Sequence, residues 1–148
     1  AEEYISESGF KNSSTKLIPI DSVLVAMYGA TAAQVAYLKF ETTTNQACCA
    51  LIFDSKNIST YVYYYFVFNQ DEIENMAIGG AQPNLSKRVI EELKILKPDS
   101  ELLDLHPFVE ITDYREKLTK ANAGLTRVKN IFLSKMSRIE FQKTEHAV

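Results

Sequence analysis

Short apolar runs broken by turn residues fill the first hundred positions of the chain. Ser22-Val23-Leu24-Val25-Ala26-Met27-Tyr28 is apolar and β-branched and stops at Gly29, which reads as a strand. Gln34 to Phe40 reads as a second strand and Cys48 to Phe53 as a third, with turns over 29–33 and 42–45. Strands this closely spaced predict a compact, mainly antiparallel sheet. Pro19 holds the segment before it extended. The block Ser59-Thr60-Tyr61-Val62-Tyr63-Tyr64-Tyr65-Phe66-Val67-Phe68 pulls two ways. Its Tyr, Val and Phe residues favour extended backbone. It runs, however, straight into the helix-friendly Asp71-Glu72-Ile73-Glu74-Asn75-Met76, with Ser59 placed as an N-cap. The reading adopted is a helix over 59–76. Gly79 to Asn84 is a loop by its glycines and proline, Ser86 caps a short helix through Glu92, and the alternating Leu93-Lys94-Ile95-Leu96 predicts a strand that closes the sheet.

The texture changes after about Asp104. Ile111, Tyr114, Leu118, Ala121, Leu125, Val128 and Phe132 follow one another at alternating steps of 3 and 4 residues. That is a heptad seam, the spacing that lets one helix pack lengthwise on another. A helix of about 30 residues is roughly 45 Å long, too long to bury its seam on so small a sheet, so the pattern calls for a partner helix. Gly124 weakens its middle by about 1 kcal/mol and suits a close helix approach. Arg115, Lys117, Lys120, Arg127, Lys129 and Lys135 lie between the seam residues, opposed by Asp113 and Glu116. The fold class expected is α+β: a small, mainly antiparallel sheet domain with short helices over 1–103, one long C-terminal coiled-coil helix over 104–141, and a tail over 142–148.

Composition changes this picture little. The chain has 148 residues, 46% of them hydrophobic and 24% charged, as in an ordinary globular protein. Its two cysteines, Cys48 and Cys49, are adjacent, so no disulfide framework is in view and a reducing cytoplasm fits best. No run is apolar and long enough to cross a membrane. A chain that begins at Ala1 without a methionine is read as a trimmed piece. The formal net charge of −3 weighs against strong unaided binding to DNA, although a basic face on an acidic protein remains compatible with it.

Four stretches in this order resemble the specificity (S) subunits of type I restriction-modification enzymes. They are Gly9-Phe10-Lys11-Asn12-Ser13-Ser14-Thr15-Lys16-Leu17-Ile18-Pro19; Val23 to Tyr28 followed by Gly29-Ala30-Thr31; Asn45-Gln46-Ala47-Cys48; and Gly80-Ala81-Gln82-Pro83-Asn84-Leu85-Ser86 with Ile95-Leu96-Lys97-Pro98 behind it. Each is weak alone; their order and spacing are specific. The likeness continues through the heptad helix to Met136 and covers about nine-tenths of the chain. It implies one target-recognition domain plus a conserved spacer helix. Such a domain reads one half of a bipartite target in double-stranded DNA while the helix fixes the distance to the other half. It implies no cofactor on this chain: S-adenosylmethionine, ATP and magnesium belong to separate modification (methyltransferase) and restriction subunits, which the chain positions. Family members carry further sequence before the position of Tyr4, and two such domains with two long helices. A single set here fits a fragment, or a half-subunit that forms a homodimer through its helix and reads an interrupted palindrome.

Candidate contacts follow, each beside a plainer reading. Ser13, Ser14 and Lys16 form a polar, once-charged loop suited to phosphate, or simply a solvated lead-in to a strand. Gln82 and Asn84 carry amides able to bond an adenine edge, or their own backbone. Lys87 and Arg88 begin a helix and can bridge phosphate, although an exposed helix face is the better reading. Asn45 and Gln46 stitch a turn. The aromatic block from Tyr61 to Phe68 belongs to core or interface rather than to base stacking. Cys48, Cys49 and His106 are the nearest thing to a nucleophile and base, but an apolar strand leaves a thiol inert, and no metal cluster, phosphate loop or hydrolase elbow accompanies them. The rival to a non-catalytic DNA module is a protein-interaction module that pairs through its helix and never meets DNA.

Overall fold

The structure, a computed structural model, describes residues 4–77 and 84–145, with side chains as far as Met136. Three strands form an antiparallel sheet of order β2-β1-β3, with β1 Val23–Ala26, β2 Val35–Tyr37 and β3 Cys48–Leu51. β1 is central, pairing Val25 with Val35 on one side and with Cys49 on the other. Its alternation sets the layers: Val23, Val25 and Met27 are buried, while Leu24 and Ala26 between them are half-buried. The turn out of β1 needs glycine, since Gly29 has φ 71° and opens a single 3₁₀ turn over Gly29–Thr31. Ala33 takes φ 66° as well, fully buried, with its N–H bonded to the Ala26 carbonyl at 2.9 Å.

Helix wins over strand propensity in the aromatic block. α2 spans Lys56–Phe68, and its Ser59, Thr60, Val62, Tyr63, Tyr64 and Phe66 are buried. A side chain on almost every side is covered, which a helix laid across a sheet achieves and a strand paired at its edge does not. Val62 and Phe66 join Val25, Met27, Cys49, Ile73, Leu85 and Ile90 in the main core. Tyr63 and Tyr64 pack with Val23 in a second cluster. Two details differ from the expectation. The helix starts at Lys56 after Ser55, not at Ser59, whose hydroxyl is buried without a hydrogen-bond partner. It also breaks at Asn69, whose side chain donates to the Tyr65 carbonyl at 2.7 Å, and α3 resumes over Gln70–Asn75. A side-chain amide bonding the last turn competes with continuation of the ladder.

α4 covers Lys87–Glu92, with the Ser86 hydroxyl accepting from the Val89 N–H at 3.3 Å, as its sequence predicts. The expected closing strand over 93–96 is not there. Leu93 and Ile95 pack against the core and Leu96 is 84% exposed, so the alternation is real. Its backbone joins no ladder, however; the Leu96 carbonyl accepts from the Tyr61 hydroxyl at 2.8 Å instead. Alternation marks a segment with one buried face and does not by itself supply a neighbouring strand.

Asp104 and Leu105 end a separate short helix, α5 Ser100–Leu105, capped by the Asp99 carboxylate on the Leu102 N–H at 2.9 Å. The long helix, α6, therefore begins not at Asp104 but after the Pro107 break, and runs Phe108–Glu145. His106 ties this junction down. Its Nδ1 accepts from the Phe108 N–H at 3.2 Å, so the neutral ring carries its proton on Nε2, which donates to the Asn57 carbonyl at 3.1 Å. Asn57 bonds Asp104 at 2.7 Å, and Phe108 stacks on Tyr64 with ring centroids 4.7 Å apart. The chain divides into two compact units, 1–109 and 110–148. The second holds α6 from Glu110 onward; the whole helix, with its 38 residues, is about 57 Å long.

Candidate nucleic-acid interface

Segments far apart in sequence meet at the C-terminal end of β1. Tyr28 forms an isolated antiparallel bridge with Asn84, and the Leu85 N–H donates to the Met27 carbonyl at 2.8 Å. The Met27 N–H donates to the Ala47 carbonyl at 2.8 Å, and the Ala26 N–H to the Gln34 carbonyl at 2.9 Å. The Gly29-Ala30-Thr31 turn, the Asn45-Gln46-Ala47 step and the Asn84-Leu85-Ser86 segment are thus stitched to one strand end by main-chain bonds. Leu85, fully buried, is the apolar pin beneath them.

What stands on this pin is polar and open to solvent. Asn84 is exposed, and Lys87 and Arg88 follow on the first turn of α4. Both cations are paired along their own helix, Lys87 with Glu91 at 3.2 Å and Arg88 with Glu92 at 2.8 Å, with all four side chains well exposed. Exposed pairs at this spacing are worth only about 0.3–0.5 kcal/mol, so a phosphate can take either cation from its carboxylate. Gln82, the other amide singled out by the sequence, lies outside the described residues, as does the rest of the 78–83 stretch.

Ser13, Ser14 and Lys16 have a different anchor. α1 (Glu7–Lys11), capped by Ser6, turns the chain into this loop. The Ser13 hydroxyl donates to the Phe10 carbonyl at 3.1 Å and accepts from the Thr15 N–H at 3.3 Å. The Thr15 hydroxyl donates to the Thr44 carbonyl at 3.2 Å, and Ile18 bridges Thr42. Ser13 is therefore spent largely on its own turn, while Ser14 and Lys16 are exposed. Asn45 is used likewise: its Oδ1 accepts from the Ala47 N–H at 3.0 Å.

A family model described as the type I restriction modification DNA specificity domain matches residues 2–102. The chain belongs to that family. The matched stretch falls inside the first compact unit. The chain is also similar to the EcoR124I/EcoR124II type I restriction enzyme specificity subunit of Escherichia coli, 29% identical over 86% of this chain. It spans about a third of that protein's length, 32%.

Within this specificity domain, Tyr28 is the structural neighbour that sequence reading passed over. It is 44% exposed beside Asn84, and nothing in the periodicity ties it to a segment so far along the chain. Cys49 is buried on β3, and loss of water raises its pKa even though the Lys87 ammonium pulls the other way. Among the described residues no group of three His, Cys, Asp or Glu side chains is placed to hold a metal ion, and no described helix is long and apolar enough to cross a membrane.

The seam expected on the long helix is laid out on α6. Ile111, Tyr114, Leu118, Leu125, Val128 and Phe132 are all between 41% and 66% exposed, and Ala121 is exposed too.

Proposed function

We propose that this specificity domain recognises one half of a two-part target in double-stranded DNA, for a type I restriction-modification assembly, and performs no chemistry itself. The observation that carries the reading is the family match over residues 2–102 on a unit in which parts of three of the four family-like stretches are pinned to one end of β1. Asn84 is the candidate base reader, with Gln82 beside it in the sequence. Lys87, Arg88, Ser14 and Lys16 are candidate phosphate contacts, and Ser13 shapes its loop. Base contacts set sequence choice while phosphate contacts set register, so the two groups differ in what their loss does.

α6 is proposed as the spacer. Its open seam of Ile111, Tyr114, Leu118, Ala121, Leu125, Val128 and Phe132 pairs with a second helix, which sets the distance to the other half-site. The modification and restriction subunits bring S-adenosylmethionine, ATP and magnesium; the net charge of −3 fits a module that borrows much of its phosphate clamp from them. The reading is tested by fluorescence anisotropy on the chain assembled with modification subunits. A duplex pool selected on the assembly should bind with salt dependence, and Asn84→Ala should relax choice at one base pair while Lys87→Ala weakens all duplexes alike. An assembly indifferent to both substitutions would refute the placement of the interface. One that never binds DNA would favour an interaction module instead.

A further inference from the structure

Three stretches of the chain, 22–38, 42–53 and 75–86, contain no charged residue, although 24% of the whole is charged. All three contribute to the end of β1. The Ala26 N–H donates to the Gln34 carbonyl, the Met27 N–H to the Ala47 carbonyl, and the Leu85 N–H to the Met27 carbonyl. The surface they share is neutral and polar, with Tyr28, Thr31, Gln34, Asn45, Gln46 and Asn84 exposed. The cations Lys87 and Arg88 begin directly after it, on α4. Attraction to phosphate is carried by cations, whereas base edges offer neutral donors and acceptors that uncharged amides and hydroxyls match.

Within this neutral ground Tyr28 and Asn84 oppose one another as a short two-stranded antiparallel ribbon. The bond from the Leu85 N–H to the Met27 carbonyl flanks the pair rather than joining it. Residues opposed in this way have Cα atoms about 4.5 Å apart, and their side chains leave the same face. Their neighbours Met27 and Leu85 are buried, so that face is the one turned to solvent. The origin of the Tyr28 side chain is fixed: its backbone is extended, with φ −130° and ψ 151°, and its carbonyl accepts from the Thr31 hydroxyl at 3.4 Å. Its own hydroxyl bonds none of the described residues.

We propose that Tyr28 is a second specificity-determining residue, its hydroxyl bonding an edge of the base pair next to the one that Asn84 meets. The inference rests on the reading of Asn84 as a base reader. A major groove about 12 Å wide admits a two-stranded ribbon. Successive bases are about 3.4 Å apart along the duplex, so two side chains that spring from opposed positions fall on adjacent base pairs. A phenol hydroxyl both donates and accepts, which lets it meet a base acceptor or an amino group. With two side-chain torsions, tyrosine loses little freedom on contact.

Tyr28→Phe removes one oxygen from an exposed side chain and keeps the ring, the bridge and the Gly29 turn. The chain assembled with modification subunits selects duplexes from a randomised pool. Competition then measures the preference at each position for the unaltered chain, Tyr28→Phe and Asn84→Ala, with thermal unfolding in parallel. Tyr28→Phe should melt like the unaltered chain and lower the preference at one base pair by about five-fold or more. That pair should adjoin the one relaxed by Asn84→Ala, with other positions unchanged. No effect of Tyr28→Phe where Asn84→Ala relaxes a base pair would overturn this inference and leave the interface standing. Equal weakening on every duplex would overturn it in favour of a phosphate contact, or of a scaffold role if the melting temperature falls as well. Relaxation at a pair remote from that of Asn84 would overturn the ribbon geometry. Silence of both variants would overturn the placement of the interface, and this inference with it.

Discussion

Replacing Leu85 and Asn84 separately by alanine divides the scaffold of the candidate interface from its reading surface. Leu85 has no exposed surface and lies in the main core with Met27 and Ile90. Truncation removes three buried carbons, and burial of a leucine is worth about 1.5–3 kcal/mol. The Leu85 main chain stays bonded to the Met27 carbonyl and resists collapse into the gap, so a cavity penalty is added and the total is about 2–5 kcal/mol. For a domain whose whole stability is about 5–15 kcal/mol, that is a large fraction. Asn84 is exposed, and its bridge to Tyr28 uses main-chain atoms that alanine keeps. Its substitution should change stability by less than about 0.5 kcal/mol. A lost bidentate base contact costs about 1–3 kcal/mol of discrimination, roughly five- to 150-fold in DNA affinity. Urea unfolding followed by circular dichroism gives the first quantity, and competition between duplexes on the assembled enzyme gives the second. The reasoning fails if Leu85→Ala costs less than about 1 kcal/mol, or if Asn84→Ala destabilises the fold as much as Leu85→Ala does.

Tyr64→Phe should leave stability unchanged or raise it by up to about 1 kcal/mol in thermal unfolding, because the Tyr64 hydroxyl is buried without a partner while its ring keeps the Phe108 stack. Gly29→Ala should cost about 1–2 kcal/mol from φ 71° alone, since nothing lies within 4 Å of the added Cβ, and Gly29→Asn should cost less. Cys48, half-buried, should react with a thiol reagent well before Cys49, whose modification should track unfolding. Burial raises the Cys49 pKa above its ordinary value, so the native state favours the protonated thiol. Stability contributed there is complete below the unfolded-state value and lost as pH rises through the native one. Cys49→Ser should flatten that alkaline loss in urea titrations.

How much of this fold is legible in the sequence depends on whether a signal is local. The three strands and the α4 cap are, because β-branched runs, Gly29 and Ser86 each act within a few residues. The aromatic helix is half-legible: Tyr61 to Phe68 prefers extended backbone, and only the sheet beneath Val62 and Phe66 decides for a helix. Leu93 to Leu96 misleads, since its alternation records one buried face while strand assignment needs a neighbour, and the Tyr61 hydroxyl takes the Leu96 carbonyl. The helix start misleads through Pro107 and His106, whose bonds to Asn57 and Phe108 stop one helix and start another inside a continuous helical pattern. At the candidate interface, residue types were readable but company was not. No spacing rule brings Tyr28 to Asn84, and none shows that Ser13 is occupied by Phe10 and Thr15.

The central claim, that this unit chooses a DNA sequence, is tested most directly by mapping methylated adenines in cells that express the chain with modification subunits lacking any other specificity subunit. The account predicts methylation confined to an interrupted two-part motif, present only with the chain and altered at one half by Asn84→Ala. Methylation with the same pattern whether or not the chain is present would contradict it.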